Sequence, residues 1–168
     1  VSERLIHYSH EKLGKIWTVR QVNVDHSWKP SGLWVSVEGD DDWPAFCHSG
    51  NFRLERLRSA NEIVLADDAN ILRIASPHEL DLFTEAYGEG QYKFVRTSSG
   101  IDWLTVSKKF QGIIIAPYLW SRRMTAHTRW YYGWDCASGC IWDAAAVLRL
   151  RSPETGELRS GPMEPASR

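Results

Sequence analysis

The run Gly112–Tyr118, GIIIAPY, constrains the fold of this chain more than any other stretch. Consecutive isoleucines send branched side chains to both sides of an extended backbone, so neither face of that strand can be left in water. The chain must therefore build a sheet with apolar material on both sides of at least one strand. A length of 168 residues is enough for one such core without covalent staples.

The other regular segments are short. RLIHYSH predicts a first strand over Leu5–Ser9, and HEKLGKI after it reads as a short helix or turn. The loop VNVDHSWKPSG, with Pro30 and Gly32 as punctuation, leads into the strand GLWVSV. The crowded acids Asp40, Asp41 and Asp42 form a loop before a short helix in WPAFCHSG. FRLERLRS and EIVLAD are further regular pieces, and ILRIAS reads as a strand. Ser76 predicts an N-cap, with Pro77 at the first helical position, Glu79 at the third and Gly88 at the end. IDWLTVSKKF has helical spacing until Gly112 stops it. The last strand falls at Cys140–Trp142, and Ala144–Leu150 stays open between helix and strand. Short strands with a few helices out of strict alternation predict an α+β domain over residues 1–150. The segment from Arg151, rich in Pro, Gly, Ser and charge and devoid of aromatics, predicts a flexible tail over residues 151–168.

Several function classes fall away. Lys and Arg number 20 against 21 Asp and Glu, a net charge of −1, so this chain does not coat nucleic acid by charge alone. No apolar run nears the roughly 20 residues that cross a bilayer, and charges interrupt VSERLIHYSH, so the expectation is a cytoplasmic protein with no membrane association. Neither GxxxxGK[ST], nor GxGxxG between strand and helix, nor GxSxG occurs. Cys136 and Cys140 form one loose pair with scattered histidines around it, which fits buried thiols better than a metal site, and no metal is expected. The region from Lys108 to Trp130 carries Lys108, Lys109, Arg122, Arg123 and Arg129 without an acid, beside Tyr118, Trp120 and Trp130. Cations interleaved with rings can grip phosphates while bases stack, although a solvated loop has the same composition. Nine tryptophans suit both a core and a platform for flat rings.

A histidine inside an apolar strand is most often a satisfied core group, so His7 alone says little. Together with GLWVS its segment says more. LIHYS resembles the first strand of the ADP-ribosyltransferase fold of the diphtheria-toxin and poly(ADP-ribose) polymerase type, in which a histidine binds a ribose of NAD. GLWVS resembles that fold's second motif, Gly–apolar–aromatic–x–Ser, whose ring lies against nicotinamide. WLTVSKKFQGIII, a loop, and CIWDAAAV are similar to the closing half of bacterial and phage relatives. The likeness touches both ends of residues 1–150 and leaves the middle unmatched.

The resemblance implies a split β-sheet core with a few peripheral helices, and NAD as substrate. It places His7 on a ribose hydroxyl, Ser9 or nearby backbone on the nicotinamide amide, Trp34 as the wall for the ring and Ser36 as a buttress, with Tyr8 also counted among the cofactor-binding residues. It also implies a carboxylate beside the ribose, and there this sequence departs. The family's glutamate falls on Ser138, the nearest acid upstream is Asp135, and Asp143 matches a structural aspartate suited to a turn or cap. Asp135 becomes the candidate catalytic acid beside His7, the other candidate catalytic residue, with Gly133 and Gly139 expected to let the Asp135 loop approach the sugar. The implied activity is mono-ADP-ribosyl transfer, as by a toxin or phage factor, to a nucleic-acid or protein acceptor met through the Lys108–Trp130 region. Two alternatives stand beside it: an inactive NAD- or nucleic-acid-binding module of the same fold, and a phage accessory protein that binds a host partner.

Overall fold

The computed structural model describes residues 3–22, 28–89, 100–151 and 158–160. Strand β1 (Leu5–Ser9), β2 (Leu33–Val37), helix α1 (Trp43–Gly50), β3 (Ser59–Leu65) and β4 (Ile71–Ile74) form the first half. Helix α2 (Pro77–Tyr87), β5 (Gly88–Glu89), β6 (Gly100–Ile101) and α3 (Trp103–Ser107) follow. Then come β7 (Gly112–Ile115), β8 (Ser138–Ile141), β9 (Val147–Arg151) and β10 (Leu158–Ser160). Eight strands make one sheet in the order β10-β9-β3-β1-β2-β8-β7-β4, and β5 pairs with β6 apart from it. All pairs are antiparallel except β4 with β7. The architecture is α+β, as the segment pattern predicts.

Local chemistry accounts for the elements. Every residue of β7 is buried, as its isoleucine run requires. The α2 start is a capping box: the Ser76 hydroxyl accepts from the Glu79 amide at 3.2 Å, and Glu79 accepts from the Ala75 amide at 2.7 Å. Asp42 caps α1 through the Ala45 amide at 2.9 Å, and Asp143 accepts from the Ala145 amide at 3.0 Å to open a short turn over Ala144–Ala146. That turn resolves the open segment into a turn and then β9. The core between the sheet and α2 and α3 is aromatic. Trp130, fully buried, has the rings of Phe83 at 5.6 Å, Trp103 at 5.9 Å, Tyr131 at 5.8 Å and Trp134 at 6.2 Å.

Some expectations change. Residues 10–22 form no helix; they run as an irregular strap that buries Ile16 and donates the Val19 amide to the Trp142 carbonyl at 2.7 Å. FRLERLRS yields only a 3-10 turn, Leu54–Leu57. The helix in IDWLTVSKKF is confined to Trp103–Ser107, because Ile101 is already committed to pairing in β6. The last central strand begins at Ser138, ahead of the expected Cys140. Residues 23–27 of the expected loop lie outside the described residues. So does most of the expected tail, but Arg151 belongs to β9 and Leu158–Ser160 pairs alongside it. Gly139 serves the sheet rather than the Asp135 loop: a Cβ there would stand 2.5 Å from the Ile113 carbonyl oxygen and 2.7 Å from Ile114 Cγ1.

The sheet parts in one place. β1 and β2 share only the pairs Leu5–Val37 and Ile6–Ser36. Beyond them β1 stays with β3 as far as Ser9, while β2 stays with β8 from Leu33 onward.

Candidate functional site

A cleft of about 340 Å³ opens at this parting. β1 contributes His7 and Tyr8 to its wall, and β2 contributes Trp34 and Ser36. The loop entering β8 adds Trp134, Asp135 and Cys136, and Ser138 follows at the start of the strand. Gly32 turns the chain into β2 with φ of 153°, and a Cβ there would lie 2.5 Å from the Ile141 carbonyl oxygen. Glycine meets both demands, the unusual φ and the close approach.

His7 bridges the parted strands. Its Nδ1 lies 2.7 Å from the Trp34 carbonyl oxygen, an acceptor only, so Nδ1 carries the proton and donates. Nε2 is then left as an acceptor, and it makes no hydrogen bond among the described residues. Burial lowers the imidazole pKa below its ordinary 6.5, with the Trp34 bond opposing in part. The ring is thus neutral at neutral pH and can receive a hydroxyl proton donor. An unfolded chain takes up a proton near pH 6.5 while folded His7 resists it, so His7 subtracts stability as pH falls below 6.5 towards the folded value. Urea denaturation between pH 7.5 and pH 5 is expected to show a steeper loss in the wild type than in His7→Gln. Equal losses would mean that His7 titrates as in the unfolded chain.

The opposite wall is aromatic and charged. Trp34 packs edge-on against the buried Trp134 with centroids 4.9 Å apart. The Lys29 ammonium lies 5.1 Å from the Trp34 ring centroid and 3.9 Å from one Asp135 carboxylate oxygen. Arg123 stands 3.7 Å from the other oxygen, and its guanidinium is 5.9 Å from the ring of Tyr118, 5.7 Å from Trp120 and 5.6 Å from Tyr132. Asp135 is therefore an anion between two cations, partly open to water. Gly133 gives Lys29 room, since a Cβ there would come 3.3 Å from Lys29 Cε.

His7, Tyr8, Trp34, Ser36 and Asp135 thus line one cleft. Ser36 does buttress its surroundings, its hydroxyl accepting the Trp43 amide at 2.9 Å. Ser9 belongs elsewhere: its hydroxyl donates to the Glu11 carbonyl at 2.5 Å, and it lines a second groove of about 490 Å³ with His10, Lys12 and Glu55. His7 and Arg56 border both cavities. Ser138 pairs with Ser36 across β2 and β8, and its hydroxyl donates to the Cys136 carbonyl at 2.9 Å. Cys136 lines the cleft with its thiol pushed up to about 12 by burial, which makes it inert as a nucleophile near neutral pH. All three cysteines are free and buried.

The basic stretch does not act as a unit. Lys109 donates to the Tyr87 hydroxyl at 3.3 Å, Arg122 makes a two-pronged contact with Asp81 at 2.8 Å, and only Arg123 reaches the cleft's carboxylate. Tyr118 and Trp130 are buried, so Trp120 is the exposed ring of the three.

Sequence reasoning missed Lys29, Trp43, Arg53 and Arg56, all of which line the cleft. Lys29 stands three positions before Gly32 of GLWVS, Trp43 opens WPAFCHSG, and Arg53 and Arg56 lie in FRLERLRS, placements that do not by themselves mark a cavity wall. Arg53 and Arg56 are exposed and form no ion pair among the described residues. Arg53 lies in the left-handed region at φ 49°, after Asn51 at φ 47° ends α1.

No family model matches this sequence, no curated protein matches it, and no solved structure matches its fold. Among the described residues no helix is long and apolar enough to cross a membrane, and no group of three or more His, Cys, Asp or Glu side chains gathers to hold a metal ion.

Proposed function

We propose that the cleft binds NAD and that the protein transfers its ADP-ribose to a nucleic-acid or protein acceptor, on a core of the ADP-ribosyltransferase type. One observation carries the reading. His7 and Trp34, 27 positions apart in sequence, are joined by a hydrogen bond on a wall of the same cleft that Asp135 borders. These are the groups the resemblance assigns to ribose, nicotinamide and cation stabilisation. The parting of the sheet between β1 and β2 supports a split core of that kind.

The chemistry fits the groups. Breaking the nicotinamide–ribose C–N bond sends the electron pair to nicotinamide and leaves oxocarbenium-like charge on the sugar. A nucleophile of the acceptor then bonds to the anomeric carbon and gives up its proton. Neutral His7 accepts a ribose hydroxyl through Nε2, and Trp34 offers a flat apolar wall for the departing ring. Asp135 places negative charge near the sugar. Arg53 and Arg56 supply cations for the pyrophosphate. The second groove, which shares His7 and Arg56 with the cleft, gives a two-headed ligand room for its other half.

Incubation with NAD labelled in the adenylate half, together with total cell RNA, DNA or protein, is expected to label one of the three acceptors. Absence of both label transfer and nicotinamide release would remove the enzyme reading. A second reading, NAD binding without turnover, is favoured by Ser138 at the position of the family's acid and by the two cations already facing Asp135. Calorimetric binding of NAD without nicotinamide release would select it.

A further inference from the structure

The Lys29 ammonium lies where the proposed reading puts the nicotinamide ring. It sits 5.1 Å from the Trp34 ring centroid and 3.9 Å from Asp135 Oδ2. An indole and a carboxylate facing the same point make a site for a cation, since the ring's negative face and the anion add their attractions. The nicotinamide of oxidised NAD is a pyridinium, flat and positively charged. The dihydropyridine of NADH has the same outline without the charge. Lys29 is also poorly tethered. Its ion pair is long, its side chain is 43% exposed, and its stem passes over Gly133, which has no side chain to hold it. Its departure from the cleft is therefore cheap.

We infer that the Trp34–Asp135 gap is a site for an aromatic organic cation, and that Lys29 is its built-in competitor, displaced when a pyridinium enters. The inference rests on the NAD reading for the identity of the natural ligand, but the cation site itself does not depend on it. Arg123 remains beside the other Asp135 oxygen when Lys29 leaves, so the carboxylate keeps one cationic partner. Arg53 and Arg56 line the same cleft and disfavour a bare cation, so the best ligand joins a cationic ring to an anionic chain. The site consequently discriminates NAD from NADH by charge.

The test uses the full chain with Lys29→Met, which keeps the apolar stem and removes the charge, and Lys29→Arg, which keeps the charge. Quenching of tryptophan fluorescence is titrated with NAD, NADH, N-methylnicotinamide cation and neutral nicotinamide. Lys29→Met is expected to bind both cationic ligands about fivefold more tightly, with NADH and nicotinamide unchanged and Lys29→Arg like the wild type. Weaker binding of NAD by Lys29→Met would make Lys29 a ligand contact and overturn the inference. So would equal affinities in all three proteins, or a gain shared by neutral and cationic ligands. If N-methylnicotinamide shows the gain while NAD binds none of the proteins, the cation site stands and the NAD reading falls. If neither cation binds any of them, both fall.

Discussion

Asp135→Asn is expected to lower the proposed ADP-ribosyl transfer by about a hundredfold or more while leaving the fold intact. The carboxylate is the one acid among the residues that line the cleft, so no neighbour replaces its charge opposite a developing sugar cation. The substitution preserves size, and Asp135 is partly exposed at the cleft's edge with long contacts to Lys29 and Arg123. Neither contact anchors the sheet, so the stability read from urea unfolding should change by less than about 1 kcal/mol. Single-turnover release of nicotinamide, measured with saturating NAD, separates the chemical step from binding. Full activity in this variant would take the catalytic role away from Asp135. Lost NAD binding with a native fold would instead make it a binding group. Installing the family's acid by Ser138→Glu is no substitute for this experiment. Ser138 is buried at the centre of the sheet, bonded to the Cys136 carbonyl and paired with Ser36 and Ile115.

Trp130→Ala is expected to cost the fold about 3–5 kcal/mol, a large part of the stability of an ordinary domain. The indole is fully buried and sits at the centre of the aromatic cluster formed by Phe83, Trp103, Tyr131 and Trp134. Its Nε1 donates to the Thr84 hydroxyl at 2.9 Å, and that hydroxyl itself donates to the Leu80 carbonyl at 2.8 Å. Truncation opens a cavity that rings cannot collapse into and leaves a buried acceptor without its donor. Trp134 packs on both Trp130 and the cleft residue Trp34, so the loss should reach the site through loosened packing. Urea unfolding checks the magnitude. A cost under about 1 kcal/mol would show that the cluster repacks around the gap.

The sequence made the local elements legible where short-range chemistry decides them. Ser76, Pro77 and Glu79 mark α2 because a cap is satisfied within four residues. The isoleucines of β7 mark a buried strand because no other arrangement shelters both faces. HEKLGKI misled because its polar spacing fits a helix, whereas the burial of Ile16 and the Val19–Trp142 bond lay the segment as an irregular strap. The site was legible to the extent that His7 and Trp34 lie in recognisable strand motifs. Lys29 and Arg56 were not, because nothing in a cation's neighbours along the chain tells which cavity it will border. In the Lys108–Trp130 stretch, closeness in sequence does not carry over to a shared partner. Of its five cations, Lys109 reaches Tyr87, Arg122 pairs with Asp81 and Arg123 with Asp135, partners that lie far from them along the chain.

The opening between β1 and β2 has walls unlike those of a pocket dug between helices. Each strand turns alternate peptide groups towards the gap, and past Ile6 and Ser36 those groups have no opposing strand among the described residues. The imidazole of His7 occupies the Trp34 oxygen and so acts as a spacer that keeps the two backbones from zipping shut. A primary carboxamide is a fragment of peptide, with the same donor and the same acceptor. A ligand bearing one, such as the proposed NAD, would offer this gap the same groups that an added strand would.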